Sequence, residues 1–276
     1  EATGKTATTV GRTLTTAVTT PIAALGATSI KASIDFESSF ASVRKTVDAT
    51  EEEFDSLAAS SKRMSTEIAA STNEIMATGG QLGIANQYLV EFARVMIDLG
   101  NSCEDLNADE AAASIAKFAN VMGTDQALFE NIGSTIVDLG NNFATTEKPI
   151  MEMAQRLAGA GKQVGLTEAQ VLGFATALSS VGIEAQMGGS AFSKALIKME
   201  VACATGGEAL TDFAGVCGMS EQQFKTLFES DPAAAFEAFI VGLARLDEEG
   251  ESAIAMLEEI GIKEVRLRDT MLRAVN

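Results

Sequence analysis

The stretch "GLTEAQVLGFATALSSVG", Gly165 to Gly182, decides the fold. It reads as one helix, with a start signal, apolar residues at helical spacing and a glycine at each end. It runs on as "IEAQMGGSAFSKAL" to Leu196, so Gly173, Gly182, Gly188 and Gly189 all come after the glycine that opens it. A glycine inside a helix costs roughly 1 kcal/mol against alanine, so each of them needs a physical reason.

Internal similarity supplies part of that reason. "GIANQYLVEFARVMIDLG", Gly83 to Gly100, and "GTDQALFENIGSTIVDLG", Gly123 to Gly140, align with the first stretch without gaps. Leu89, Phe129 and Val171 share one column, and Ile97, Val137 and Ser179 another. Leu99, Leu139 and Val181 precede the closing glycine. A helix of about 15 residues bracketed by glycines is the expectation, because glycine past a helix end takes the left-handed conformation that stops it. Gly173 is interior and is expected to let another helix come close, with Phe92 and Phe174 packed beside the crossing. Gly188 and Gly189 are expected to break the chain before "SAFSKAL", with Ser190 capping the helix that this run begins.

Start signals locate the helices. Leu166, Thr167, Gln170 and Val171 combine a capping box with a hydrophobic staple, and Met219, Ser220, Gln223 and Phe224 repeat the device. Thr50 with Glu53 and Ser71 with Glu74 add two more boxes, giving helix starts near 51, 72, 168 and 221. Second helices are expected near 108–122, 147–160 and 190–204. The unit is then a helical hairpin of about 40 residues, and stacked hairpins share a core that none could bury alone. The expected fold class is all-α: stacked hairpins forming a helical bundle or short solenoid.

Composition agrees. Of 276 residues 46% are hydrophobic and only three are proline, which suits a packed chain, and the scarcity of aromatics (14 Phe, one Tyr, no Trp) favours helices over strands. The organisation divides into an amphipathic, Thr/Ala-rich helical segment (1–35), a helical-repeat core (36–205) and additional helices (206–276). Thr13 to Ile30 carries no charge, but six threonines, Ser29, Pro21 and Gly26 dilute it, so a helix seeking partner helices is expected rather than a membrane span. No secretory signal pattern is assembled at the start. Because the first residue is Glu1 rather than Met, the chain reads as processed, excised or part of something longer.

The chemistry sought is mostly missing. There is no histidine, which removes Ser-His-Asp and Cys-His devices and the usual zinc companion of cysteine. Cys103, Cys203 and Cys217 read as small buried apolar fillers, a Cys203–Cys217 bridge being geometrically possible. "AGAGKQVG", 158–165, lacks the glycine and the Ser/Thr of a phosphate loop, and no strand precedes it. The acidic turn "DLGNSCEDLNADE", 98–110, lacks calcium-loop spacing; Asn107 with Glu110 instead caps the next helix. No enzyme activity, metal or cofactor is expected. With 38 acidic against 20 basic residues, net −18, phosphate backbones are repelled, so sequence-specific nucleic-acid binding is not expected either.

One family does resemble this chain. "IDFESSFASVRKTVDATEEEFDSLAASSKRMSTEIAAS", 34–71, then the glycine-bounded helices, then "GLTEAQVLGFATALSSVGIEAQMGGSAFSKAL", look like the core region of phage tail tape measure proteins of the lactococcal-phage type. The marks are Pro21 before a small-residue helix, Phe36-Glu37, the "GLT" start, and the run Gly182, Ile183, Ala185, Gly189, Ser190 and Ala191. The likeness spans roughly residues 20–200. Phe36, Glu37, Gly182, Gly189 and Ser190 are its structural landmarks. The resemblance implies a structural protein that lies as a homo-oligomer, a trimer, inside the tail tube, sets its length, and leaves through the tip. Its implied partners are tail tube and tip or baseplate hub proteins, with transient membrane contact on ejection. A phage-like contractile bacteriocin would use the same part. The long heptad-rich helix of such proteins is absent, so the chain reads as a segment. A helical-repeat adaptor and a membrane-active helical domain stand as alternative readings.

Overall fold

Helix starts obey the local signals. In the computed structural model, which describes residues 36, 39–67, 72–248 and 252–262, helices begin at Glu51, Thr72, Glu168 and Glu221. Three capping boxes close as expected. Thr50, Thr167 and Ser220 each accept from the backbone three residues on, while Glu53, Gln170 and Gln223 reach back. Ser71 and residues 1–35 lie outside the described residues, so the fourth box and the N-terminal segment are not placed.

The helices are α1 (39–46), α2 (Glu51–Glu67), α3 (Thr72–Gln81), α4 (Asn86–Ser102), α5 (Ala108–Met122), α6 (Phe129–Asn142), α7 (Glu147–Val164), α8 (Glu168–Ser180), α9 (Ala185–Thr205), α10 (Glu208–Val216), α11 (Glu221–Ser230), α12 (Pro232–Glu248) and α13 (Ala253–Glu259). A short 3₁₀ turn, Gln126–Leu128, leads into α6. No strand occurs among the described residues, and the protein is all-α.

Three hairpins, α4–α5, α6–α7 and α8–α9, stack in two rows. The first helices α4, α6 and α8 form one row, and α5, α7 and α9 the other. The second and third hairpins depart from the pattern, because α7 lies along α8 more than along its partner α6, and α9 lies along α7 far more than along its partner α8. The repeat is exact at the helix starts. Ala85, Asp125 and Thr167 are the N-caps of the three first helices, counting the 3₁₀ turn, and each stands two residues after its glycine. The column Leu89, Phe129 and Val171 is buried throughout. The column before the closing glycine fades along the stack: Leu99 is buried, Leu139 half-buried and Val181 exposed.

The glycines divide by job. Gly83, Gly123, Gly165 and Gly182 have positive φ, and the residue after each donates to the carbonyl five positions back, as in Leu166 N to Gly161 O at 2.8 Å. These four end helices, as expected. Gly100 and Gly140 do not: α4 and α6 run through them. A Cβ on Gly100 would stand 2.4 Å from Ala108 N, and one on Gly140 2.6 Å from the Glu147 carboxyl carbon. Each lets the first residue of the second helix close against the last turn of the first.

Three further expectations are corrected. Gly173 faces open space, with nothing near a Cβ, so no helix crosses there; Phe92 and Phe174 find other partners. Gly188 and Gly189 do not break the helix, since α9 runs unbroken from Ala185. Their bare backbone packs on α7, where a Cβ would meet Met153 Cε at 2.8 Å and Arg156 Cβ at 2.5 Å respectively. Ser190 is no cap: its hydroxyl donates to Gln186 O, one turn back in the same helix.

Hydrogen bonds lace both ends of the stack. On the glycine-turn side, Asn120 donates to Leu82 O, Ala85 N donates to the Gln126 side chain, which itself donates to Gly83 O, and Thr124 donates to Glu168. At the other end Thr146 donates to Asp105, Lys148 to Glu110 and Thr145 to Ser179. These ties join residues 34 to 44 positions apart, one repeat, so each binds equivalent levels of neighbouring hairpins.

The core is one cluster, and phenylalanine rings carry it past the third hairpin. Phe174, Phe192 and Phe236 form a triangle with centroids 4.1 to 5.6 Å apart, and Phe239, Phe213, Phe224 and Phe228 continue it through α10–α12. Such pairs add about 0.5–1.5 kcal/mol each beyond area burial.

Candidate functional site

The landmarks do not converge on one place. Phe36 stacks on Phe40 at 5.5 Å with Lys62 Nζ 4.4 Å from its ring, at the amino-terminal end of the described chain. Glu37 lies outside the described residues. Of the glycine landmarks, Gly182 is at a cleft of about 880 Å³ where α7 faces the α8–α9 turn, and Gly189 is linked to it only through Arg156. Gly182 lines it, as do Glu152, Arg156 and Glu184, and Gly189 packs against the stem of that same Arg156. Ser190 is exposed on α9. The cleft offers hydrogen-bonding groups of both charges, with no nucleophile paired to a base.

A second concavity is apolar. Between α8 and α12 a groove of about 530 Å³ exposes the edge of the phenylalanine triangle. It was not legible in the sequence, because its walls come from residues some 60 positions apart. The same holds for a buried polar knot in which Asn73 donates to Ser39 Oγ at 2.6 Å and accepts from the Ser61 hydroxyl, joining α1, α2 and α3.

The three cysteines are free. Cys203 is buried, whereas Cys103 and Cys217 are half-buried, which corrects the expectation of three buried fillers. Burial pushes the Cys217 thiol up to about 12. Burial first, then the negative charge of Glu147, a hydrogen bond to Glu147 and the charge of Asp105 push Cys103 up to about 12. Both stay protonated near neutral pH, as thiols rather than nucleophilic thiolates. Asn107 accepts from Glu110 N at 2.9 Å and caps α5, as expected of the acidic turn. Among the described residues no group of three or more Asp, Glu or Cys is placed to hold a metal ion, and no helix is long and apolar enough to cross a membrane.

Two rows of repeated hairpins, laced at both ends and presenting clefts without paired catalytic groups, define a helical scaffold. The chain belongs to the phage-related minor tail protein family, whose model matches residues 58–260, nearly three quarters of its length. No curated protein and no solved structure matches it. Membership makes the chain a structural component of a phage tail, placed in the virion tail and in contact with other tail components.

Proposed function

We propose that this chain is the folded core segment of a tape measure protein, which sets the length of the tail tube during assembly and leaves through the tip on ejection. The carrying observation is the run of hairpins at a spacing of about 40 residues, Gly83 to Thr205, inside the region matched by the tail family. The order of the motifs from Phe36 through Gly182, Gly189 and Ser190, which resembles that of tape measure cores, supports the same reading. In it, residues 36–205 form the repeat core, 206–276 an annex, and sister copies associate as a trimer in the lumen beside tube and tip or hub proteins. The role is structural, without catalysis. A net charge of −18 suits a body that shares a channel with DNA and must not bind it. A contractile bacteriocin tail would use the part in the same way.

Tail length by electron microscopy is the test. An in-frame insertion of about 40 helix-forming residues into the coding sequence, outside the segment that encodes these hairpins, should lengthen the tail by roughly 60 Å at 1.5 Å per residue. Tails of normal number and unchanged length would overturn the ruler role and favour a helical-repeat adaptor in the tail.

A further inference from the structure

The inner side of α12 is fixed to the core by Phe236, Phe239, Leu243 and Leu246, and Gly242 lies so close on Val216 O that a Cβ has no room. At about 100° per residue, Glu237, Val241 and Arg245 then form one row on the opposite side, each about a turn after the last. Half-buried Ala238 and Ala244 lie beside the row. Val241 stands at its middle and is 68% exposed, more than any other large apolar side chain among the described residues.

An exposed valine alone decides nothing. The charges on either side of it decide what the face fits. Glu237 is exposed and makes no hydrogen bond or ion pair among the described residues. Arg245 is exposed too, and one nitrogen of its guanidinium donates to Val216 O at 3.3 Å, which holds the group at this end of the helix. The row therefore reads negative, apolar, positive at equal spacing, and it is complementary to itself read backwards.

We propose that α12 pairs with α12 of a second copy of this chain, antiparallel about a two-fold axis at Val241. The axis sets Val241 against its own counterpart, and each Glu237 beside the Arg245 of the other copy, giving two ion pairs. A parallel pairing would set Glu237 on Glu237 and Arg245 on Arg245, so charge selects the antiparallel register. Ala238 and Ala244 exchange places across the axis, and their small side chains admit a close approach. A crossing at about 50° lays the two rows along one another.

Glu237, Ile240 and Val241 also wall the apolar groove beside α8, so the contact covers part of that groove. One crossing of two helices is smaller than a standard interface of about 1,600 Å², and each copy carries a net charge of −18, so the pair is a weak one that forms at high concentration. The contact rests on α12 and not on the tape measure role. It concerns the free chain and is separate from the trimer proposed for the tail lumen.

Sedimentation of the full chain at rising concentration, under reducing conditions, tests it. The expected result is a monomer–dimer equilibrium that Val241→Asp weakens at least about tenfold. Glu237→Arg and Arg245→Glu should each weaken it as well. An equal mixture of these two variants should pair again, because every row then meets opposite charges. Arg245→Glu also loses the bond to Val216 O, but recovery in the mixture is a readout that a folding defect cannot give. A chain that stays monomeric throughout, a dimer indifferent to Val241→Asp, or a mixture no better paired than its components overturns the proposal. So does a trimer, which a two-fold contact cannot close.

Discussion

At the scale of single residues, glycine does three physically different things in this chain, and each predicts a different response to alanine. Where φ is positive, as at Gly165 (90°), a side chain is strained whatever the space around it. Where two backbones touch, as at Gly100 against Ala108, or a helix seats on a neighbour's side chain, as at Gly189 against Arg156, a Cβ has no room. Where a helical glycine faces solvent, as at Gly159 and Gly173, a Cβ meets nothing and only the conformational penalty is removed. Urea denaturation should therefore show Gly100→Ala and Gly189→Ala each losing about 1–3 kcal/mol. Gly159→Ala and Gly173→Ala should each gain up to about 1 kcal/mol. A neutral Gly189→Ala would show that α7 and α9 can separate by a few tenths of an ångström without cost.

At the scale of the element, the hairpins are joined by their turns as well as by their faces. Ala85 has no capping side chain, and its own amide donates at 2.8 Å to Gln126 of the next repeat, so the half of a capping box that an N3 side chain usually provides comes from the neighbouring hairpin. Gln126→Ala should cost about 1 kcal/mol and should speed hydrogen exchange at the Ala85 amide while leaving Leu89 protected. Exchange rising equally at both positions would mean the whole helix start has frayed. This division also explains what was legible in the sequence. Thr167 with Gln170 and Ser220 with Gln223 could be read directly, because a cap is settled within four residues. Gly100 and Gly140 could not, because a glycine that ends a helix and one that admits a neighbour are the same letter; only Ala108 and Glu147 across the turn decide. Gly188 and Gly189 read as a break for the same reason, their partners Met153 and Arg156 lying more than thirty residues earlier.

At the scale of the whole molecule, the fold class and the repeat were legible and the two concavities were not, since both are assembled from helices that only the stacking brings together. The acidic excess is spread over exposed faces. Arg94, for example, is shared among Glu91, Asp98 and Glu130, all on the surface, so these pairs add little to stability. What holds the rows is the core and the ties one repeat apart, and those ties have a mechanical meaning. A load drawn along the chain from its two ends meets the lacing one rung at a time, so the protein should yield as a ladder does rather than as a rope. In an optical trap the extension record should be a sawtooth, each tooth freeing about 40 residues and roughly 140 Å of contour at the fully extended reach of the backbone. A single rupture releasing the whole chain at once would show instead that the phenylalanine core binds the hairpins more tightly than their own turns do. A body that gives way in measured lengths can be drawn through a narrow passage without ever having to unfold all at once.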